Sequence, residues 1–211
     1  MTATVTELVE DVVLRDGSTL RLRTPTAADE DTLIRFFDAL SPASRYLRFH
    51  GIATIDRQLV APALESDWSE RGSLLGELTD EDGNLRPVAL ATYVRLRDPR
   101  RAEVAFAVAD DLQGHGIGTR LLERLAAHAA EAGIREFVAE VLPQNAAMLH
   151  VFGDVGFETS RNLQEGVIEV VLGCAHSPQR LRDGTSVTIS PRGWSVRADH
   201  IVRSAAPPST A

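Results

Sequence analysis

The first part of the chain contains one alternating segment followed by helical spacing. Residues 19–23 (TLRLR) alternate between apolar and polar positions after a turn, which is typical of a strand. Residues 26–40 place their apolar side chains on one helical face. This helix begins with Thr26 and Asp29 in the arrangement of a capping box, in which side chain and main chain at a helix start satisfy each other.

Two short helices and then a series of strands are predicted next. Ser41-Pro42 suits a helix start, with Ser41 as N-cap and Pro42 in the first helical position. A further helix is expected over residues 55–64, interrupted at Pro62. From about Gly72 onwards the segments with strand character are 73–78, 88–96, 103–109, 134–142, 156–159 and 167–172.

Two helices interrupt these strands. One runs from a glycine-rich loop to about Ala132, with Gly133 where a C-cap glycine belongs, and the other covers residues 144–154. Strand 103–109 (EVAFAVA) is apolar on both faces apart from Glu103, as expected of a central strand. The order of elements predicts a mixed α/β sheet flanked by helices.

The pattern ends after Gly173. Residues 174–211 are rich in proline and end in APPSTA, so we expect a C-terminal extension or linker that is disordered towards its end. Within it, LRDGTSVTI at 181–189 echoes LRDGSTLRL at 14–22. The echo is either a second hairpin-forming segment or a chance repeat of a common pattern.

Composition narrows the class of protein. The 211 residues are 44% apolar and contain no run of eighteen apolar residues, which predicts a globular protein without a membrane span. The single cysteine, Cys174, excludes an internal disulfide, and the acidic N-terminus is unlike a secretory signal, so we expect a cytoplasmic location. The formal charge of −8 argues against general nucleic-acid binding and is compatible with a basic partner such as a lysine side chain.

The loop Gln113–Gly118 (QGHGIG) lies between a predicted buried strand and an amphipathic helix. Glycines allow the main chain to approach a ligand closely, and the helix start presents free N–H groups, so a pyrophosphate is the natural occupant. The alternative is a tight turn without a ligand. The spacing fits neither a P-loop nor the GxGxxG fingerprint. His115 is either an added cation for the phosphate or an exposed loop side chain.

Glu103 is the candidate general base. At the head of an apolar strand it shares a face with Ala105 and Ala107, so we expect partial desolvation and a raised pKa, which suits removal of a proton from an ammonium group. The alternative is a strand-end glutamate that pairs with Arg101 or Arg95.

Two longer segments carry a resemblance to a known family. AEVAFAVADDLQGHGIGTRLLERLAAHAAEAGI and NAAMLHVFGDVGF resemble the GCN5-related N-acetyltransferases, whose Gln/Arg-x-x-Gly-x-Gly/Ala motif is matched by Gln113, Gly116 and Gly118. An Asn-x₁₀-Gly-Phe arrangement is matched by Asn145, Gly156 and Phe157. The resemblance covers roughly residues 12–173, and implies a mostly antiparallel sheet and acetyl-coenzyme A as acyl donor, without a metal. The implied coenzyme contacts are Phe106, Ala107, Val108, Gln113, Gly114, His115, Gly116, Ile117, Gly118, Thr119 and Asn145.

A narrower resemblance concerns the acceptor. Residues 16–49 are similar to bacterial protein lysine acetyltransferases, which occur alone or joined to regulatory domains, and act on substrates such as acyl-coenzyme A synthetases. It implies Glu103 as general base and a lysine-bearing protein as partner, and leaves the oligomeric state open. Two other functions remain: a small-molecule amine acetyltransferase, and a non-catalytic acyl-coenzyme A sensor within a larger protein.

One position departs from the family pattern. Many members carry a tyrosine four residues before the Gly-Phe glycine, where it protonates the leaving thiolate, and here that residue is Phe152. Tyr46 and Tyr93 are the other candidates for the proton donor, or else packing residues. Asn145 either touches a ligand or caps its helix. By the same resemblance, the segment that usually shapes the acceptor side contains Arg45, Tyr46 and Arg48. These residues either take part in acceptor binding or form a charged helix face, and we expect the helix face.

Overall fold

The computed structural model describes residues 8–51, 54–80, 82–164, 166–176, 186–190 and 193–197. Contacts group the chain into two units, residues 1–175 and residues 176–211. Apart from His176, which ends strand β8 (Val167–His176), the described part of the second unit is an antiparallel hairpin of β9 (Ser186–Ser190) and β10 (Gly193–Arg197). The hairpin includes the end of the echoing segment, and the disorder expected near the C-terminus falls outside the described residues.

The first unit is built on an eight-stranded sheet with the order β1-β2-β3-β4-β5-β6-β8-β7. Strands β1 to β5 pair antiparallel with their neighbours, β5 and β6 run parallel, and β6 and β8 are antiparallel. This confirms the predicted mixed, mostly antiparallel sheet. Its strands are β1 (Val9–Val13), β2 (Thr19–Arg23), β3 (Arg71–Thr79), β4 (Leu85–Arg95), β5 (Arg101–Val108), β6 (Glu136–Val141), β7 (Phe157–Gln164) and β8 (Val167–His176).

In the residues that the structure describes, five α-helices flank the sheet. They are α1 (Glu30–Ala39), α2 (Pro42–Phe49), α3 (Arg57–Leu64), α4 (Ile117–Glu131) and α5 (Ala146–Asp154). The predicted capping box is present, because the Thr26 main-chain N–H donates to Asp29 Oδ2 at 2.7 Å in the 3-10 turn before α1. Ser41 caps α2 as predicted, accepting a hydrogen bond from the Ser44 N–H at 3.1 Å.

The apolar side chains form one layer on each face of the sheet. On one face, α4 packs Leu121, Leu122 and Leu125 against the central strands. On the other, α1 and α3 bury Leu33 and Val60 against strands β3 to β5. Removing these side chains from water is the main stabilising contribution to the fold.

The structure corrects two predicted elements. Strand β1 was not expected, because its sequence VEDVV alternates poorly and only Val12 of the strand is buried. Helix α3 continues through Pro62 instead of stopping there. Proline removes one helical hydrogen bond, and the burial of Val60 and Ala63 against the sheet offsets that loss.

Candidate active site

A cleft opens where β5 and β6 separate. The two strands pair from Arg101↔Glu136 to Glu103↔Val138 and then no further. Beyond this point β5 stays paired with β4, and β6 with β8, so the gap lies between two well-supported strands. The cleft has a volume of about 550 Å³, and walls from β5, β6, α2, α5 and the start of α4. Main-chain groups on the open edge of β5 are available to a ligand.

The glycine-rich loop forms one end of the cleft. Gly114 and Gly116 have φ values of +80° and +82°, which favour glycine, and a Cβ added to either would meet no atom within 4 Å. Helix α4 begins directly after Gly116 and has no side chain capping its first N–H groups. Unfilled space, free N–H donors and the positive end of the helix dipole together fit a pyrophosphate.

Nine of the eleven coenzyme contacts implied by the resemblance line the cleft. They are Phe106, Ala107, Val108, Gln113, Gly114, Gly116, Gly118, Thr119 and Asn145. The side chain of Ile117 is instead buried in the core, because it is the first apolar position of α4, and only its main chain can face a ligand. His115 is exposed, with Nδ1 3.1 Å from the Gln113 carbonyl oxygen, and is not part of the cleft wall.

Two of these residues also have structural roles. A Cβ on Gly118 would lie 3.3 Å from Val151 Cγ2, so this glycine allows α4 and α5 to pack closely. Asn145 caps α5, where its Oδ1 accepts a hydrogen bond from the Met148 N–H at 3.1 Å, and it lines the cleft as well.

The carboxylate of Glu103 is exposed, which corrects the expected desolvation. The apolar layer beneath α1 and α3 reaches Ala107 on the same strand face but stops short of Glu103. The expected alternative, pairing with a neighbouring arginine, is also wrong. Arg101 pairs with Glu136 at 3.2 Å and Arg95 lies 3.6 Å from Glu70, so both cations are engaged elsewhere. Glu103 itself makes no ion pair with the described part of the chain.

Arg48 on α2 is the cation near Glu103. Its side chain is half-buried and lines the cleft. Burial lowers the pKa of Arg48 to about 10, against the opposing attraction of Glu103, so the guanidinium stays charged at neutral pH. The expected charged helix face therefore applies to Arg45, which lies 3.8 Å from Asp38, and to the exposed Tyr46, but not to Arg48.

Among the charged residues of the cleft wall that sequence reasoning missed are Glu140 and Arg15. Glu140 lies on β6 two residues beyond Val138, the partner of Glu103, so the two carboxylates share one face of the sheet. The local signal for Glu140 is a glutamate within the otherwise apolar run FVAEV at 137–141. Arg15 enters the wall from the turn between β1 and β2, and no local pattern marks it.

No tyrosine hydroxyl reaches the cleft. Phe152 is buried in the wall, with its ring centroid 6.1 Å from that of Phe106. Tyr93 is buried and donates its hydroxyl proton to the Trp68 carbonyl at 2.6 Å, and burial raises the pKa of this phenol. Tyr46 is exposed and is not a wall residue. Neither tyrosine is therefore placed to protonate a thiolate there.

In the ranges that the structure describes, no three His, Cys, Asp or Glu side chains converge into a possible metal site. Of the helices in those ranges, none combines the length and apolar character needed to cross a membrane. Cys174 is buried, which raises the pKa of its thiol to about 12 and makes it a poor nucleophile.

Comparison with known proteins agrees with this geometry. The sequence model of the acetyltransferase (GNAT) family matches residues 34–157. The solved GNAT domain of S. lividans PAT is 35% identical with a TM-score of 0.67, and the match covers 78% of this chain and 96% of that one. The acetyltransferase Pat of Mycolicibacterium smegmatis is 33% identical over 147 residues, which is 69% of this chain but only 43% of Pat.

A more distant structure is a putative acetyltransferase from Salmonella typhimurium, solved with its cofactor acetyl-CoA. Its TM-score is 0.54 at 20% identity, over 73% of this chain and 92% of that one, a likeness that concerns the fold alone.

Proposed function

Because the chain belongs to the GNAT family of acetyltransferases, whose acyl donor is acetyl-coenzyme A, we propose that it acetylates the ε-amine of a lysine in a protein substrate. Transfer is direct, within a ternary complex. The observation that carries the proposal is the pair of carboxylates, Glu103 and Glu140, on one sheet face where β5 and β6 separate. Carboxylates at this point suit a cationic acceptor that must lose a proton before it reacts.

The donor is held by main-chain groups. The pyrophosphate docks on the start of α4 at Gly116, and the pantetheine arm pairs with the open edge of β5 at Phe106 to Val108. This places the thioester near the separation point, where main-chain N–H groups polarise its carbonyl oxygen. The coenzyme supplies the activated acyl group, and the protein contributes position and electrostatics.

The acceptor amine is activated by Glu103. A lysine amine has an ordinary pKa of about 10.4, so at neutral pH it arrives protonated and unreactive. Glu103 takes the ammonium proton, directly or through water, and the amine nitrogen then attacks the thioester carbon. The new C–N bond forms as the C–S bond breaks. The nitrogen loses its second proton to solvent as the amide forms. Since Phe152 cannot donate a proton, the leaving thiolate is protonated by solvent.

The relatives support a protein acceptor. Two of the similar proteins bear the name Pat or PAT, and the match to S. lividans PAT covers nearly all of its GNAT domain. The match to M. smegmatis Pat covers less than half of that protein, so it bears on the acetyltransferase part alone.

The test compares acceptors side by side. The purified chain is incubated with acetyl-coenzyme A and, separately, an acyl-coenzyme A synthetase, a polyamine mixture and free amino acids, and products are found by mass spectrometry. Acetylated lysines in the synthetase are expected. Acetylation of small amines alone would replace the proposal with a small-molecule acetyltransferase. Tight coenzyme binding without transfer to any of them, or to proteins of a cell extract, would favour a sensor.

A further inference from the structure

Arg15 lies in the turn between β1 and β2 and lines the same cleft as Gly114 and Gly116. The turn is tightly built. The Leu14 N–H donates to the Ser18 carbonyl at 2.9 Å, and the Gly17 N–H donates to the Leu14 carbonyl at 3.1 Å. Leu14 is buried in the core beside Arg15. The main chain at Arg15 is therefore held in place, although the side chain is exposed.

An electrostatic interaction also indicates that this turn lies near the glycine-rich loop. Hydrogen bonds from Ser18 lower the pKa of Asp16, and the nearby His115 of the loop adds a smaller effect in the same direction. The Asp16 carboxylate is already engaged, because it accepts hydrogen bonds from the Ser18 N–H at 2.9 Å and hydroxyl at 2.6 Å. It is thus not paired with the adjacent Arg15.

The guanidinium of Arg15 has no ion pair or hydrogen bond with any residue that the structure describes. The contrast with neighbouring arginines is clear, since Arg21 on the same hairpin lies 3.7 Å from Asp11 and Arg120 on α4 lies 2.8 Å from Glu123. An arginine is charged at every physiological pH, and its planar donors match phosphate oxygens in pairs. Arg15 is therefore a free cation at the phosphate end of the cleft.

We propose that Arg15 binds the 3′-phosphate of coenzyme A. This proposal rests on the function above, in which coenzyme A is the donor, and adds a residue from outside the family motif. A helix start offers the equivalent of about half a positive charge, whereas a phosphate monoester carries about −1.5 to −2 near neutral pH. The N–H groups at Gly116 serve the pyrophosphate. The 3′-phosphate needs a separate cation, and Arg15 supplies it from a different segment of the chain.

The test uses two ligands that differ only in this group, coenzyme A and 3′-dephospho-coenzyme A. Their dissociation constants are measured by calorimetry for the wild type, Arg15→Ala, Arg15→Lys and the control Arg21→Ala. We expect Arg15→Ala to weaken coenzyme A binding about five- to twentyfold, as for loss of a charged hydrogen bond, and to leave dephospho-coenzyme A binding unchanged. Arg15→Lys should lose less affinity for coenzyme A, because lysine keeps the positive charge but lacks the paired N–H donors. Arg21→Ala should match the wild type.

Other outcomes overturn the assignment. An equal loss for both ligands would mean that Arg15 contacts the pyrophosphate, and no loss for either would remove it from the site. The salt dependence gives an independent check, since coenzyme A binding should depend less steeply on ionic strength in Arg15→Ala than in the wild type. If the wild type binds neither ligand, the proposed function fails and not merely this residue.

Discussion

The Nε2 group of Gln113 donates a hydrogen bond to the hydroxyl of Ser44 across 3.2 Å, which joins the first residue of the coenzyme loop to helix α2. Ser44 in turn donates to Asp110 Oδ1 at 2.6 Å, and Asp110 also accepts from the Ser41 N–H at 2.9 Å. Helix α2 carries Arg48, the cation beside Glu103. The donor side and the acceptor side of the cleft are thus connected through one short polar network.

Breaking this network should weaken coenzyme binding without unfolding the protein. Burial alone would raise the pKa of Asp110, but hydrogen bonds from Ser44 and Ser41 leave it lowered, so the carboxylate is ionised and holds the start of α2 at neutral pH. We expect Asp110→Ala to raise the dissociation constant for coenzyme A about three- to tenfold. Asp111→Ala is the matched control, because its carboxylate pairs with Arg86 and not with α2. Equal effects of the two substitutions would contradict this role.

Replacing Glu103 should separate binding from turnover. For Glu103→Gln we expect unchanged affinity for acetyl-coenzyme A and a fall in turnover of roughly two to four decades at neutral pH, the usual range for a general base. Glu136→Gln is the control on the same sheet face, since Glu136 pairs with Arg101. Glu140→Gln should mainly raise the KM for a lysine acceptor. If Glu103→Gln turns over at the wild-type rate, Glu103 is not the general base. If turnover collapses in Glu140→Gln instead, Glu140 is the general base.

Substitution of the two motif glycines by alanine should impair the protein for different reasons. In Gly116→Ala the new side chain points into open space but the residue must keep a φ of +82°, which costs about 1–3 kcal/mol and distorts the loop, so coenzyme affinity should fall. In Gly118→Ala the new Cβ presses on Val151, so the melting temperature should drop. Adding Val151→Ala should restore the stability of Gly118→Ala and do nothing for Gly116→Ala. Recovery of Gly116→Ala by the same change would show that both glycines serve packing.

Local sequence patterns predicted the elements that are buried on one face or on both faces. Helix α4 shows its stripe, and β5 shows its apolar run, because each is covered by neighbours in the way that its sequence suggests. Edge strand β1 does not, since an edge strand needs few buried side chains, and here Val12 suffices. The glycine loop was predictable for a related reason: its φ values and the helix after it are local properties.

The charged groups of the cleft depend on how distant segments meet. The desolvation expected for Glu103 failed because apolar neighbours along a strand do not cover the sheet face above it. Arg48 was assigned to a solvated helix face, yet the docking of α2 on β5 turns it towards the cleft. Arg15 comes from a hairpin about a hundred residues before the loop that it faces. Spacing rules describe single helices and strands and carry no information on how distant segments pack together.

The buried network of Arg23, Asp29 and Glu77 makes stability depend on pH. Arg23 donates to Asp29 at 2.6 and 2.8 Å and to Glu77 at 2.8 and 3.0 Å. Hydrogen bonding to Arg23 lowers the pKa of Asp29 from its ordinary value of 3.8. The stability that Asp29 contributes is therefore fully present above its unfolded-state pKa and is lost as the pH falls through the lower folded-state value.

We expect Asp29→Asn to reduce the free energy of unfolding by about 2–3 kcal/mol at pH 7. The neutral amide cannot neutralise the Arg23 charge or accept both of the hydrogen bonds that Arg23 donates to Asp29. Urea titrations of both proteins from pH 7 downwards should show this difference constant above about pH 5 and shrinking below about pH 4, where Asp29 of the unfolded wild-type chain begins to take up a proton. The control Asp11→Asn removes an exposed partner 3.7 Å from Arg21 and should change stability little. A difference for Asp29→Asn that is absent at pH 7, or that grows as the pH falls, would show that the Arg23 pair is not what holds Asp29 ionised.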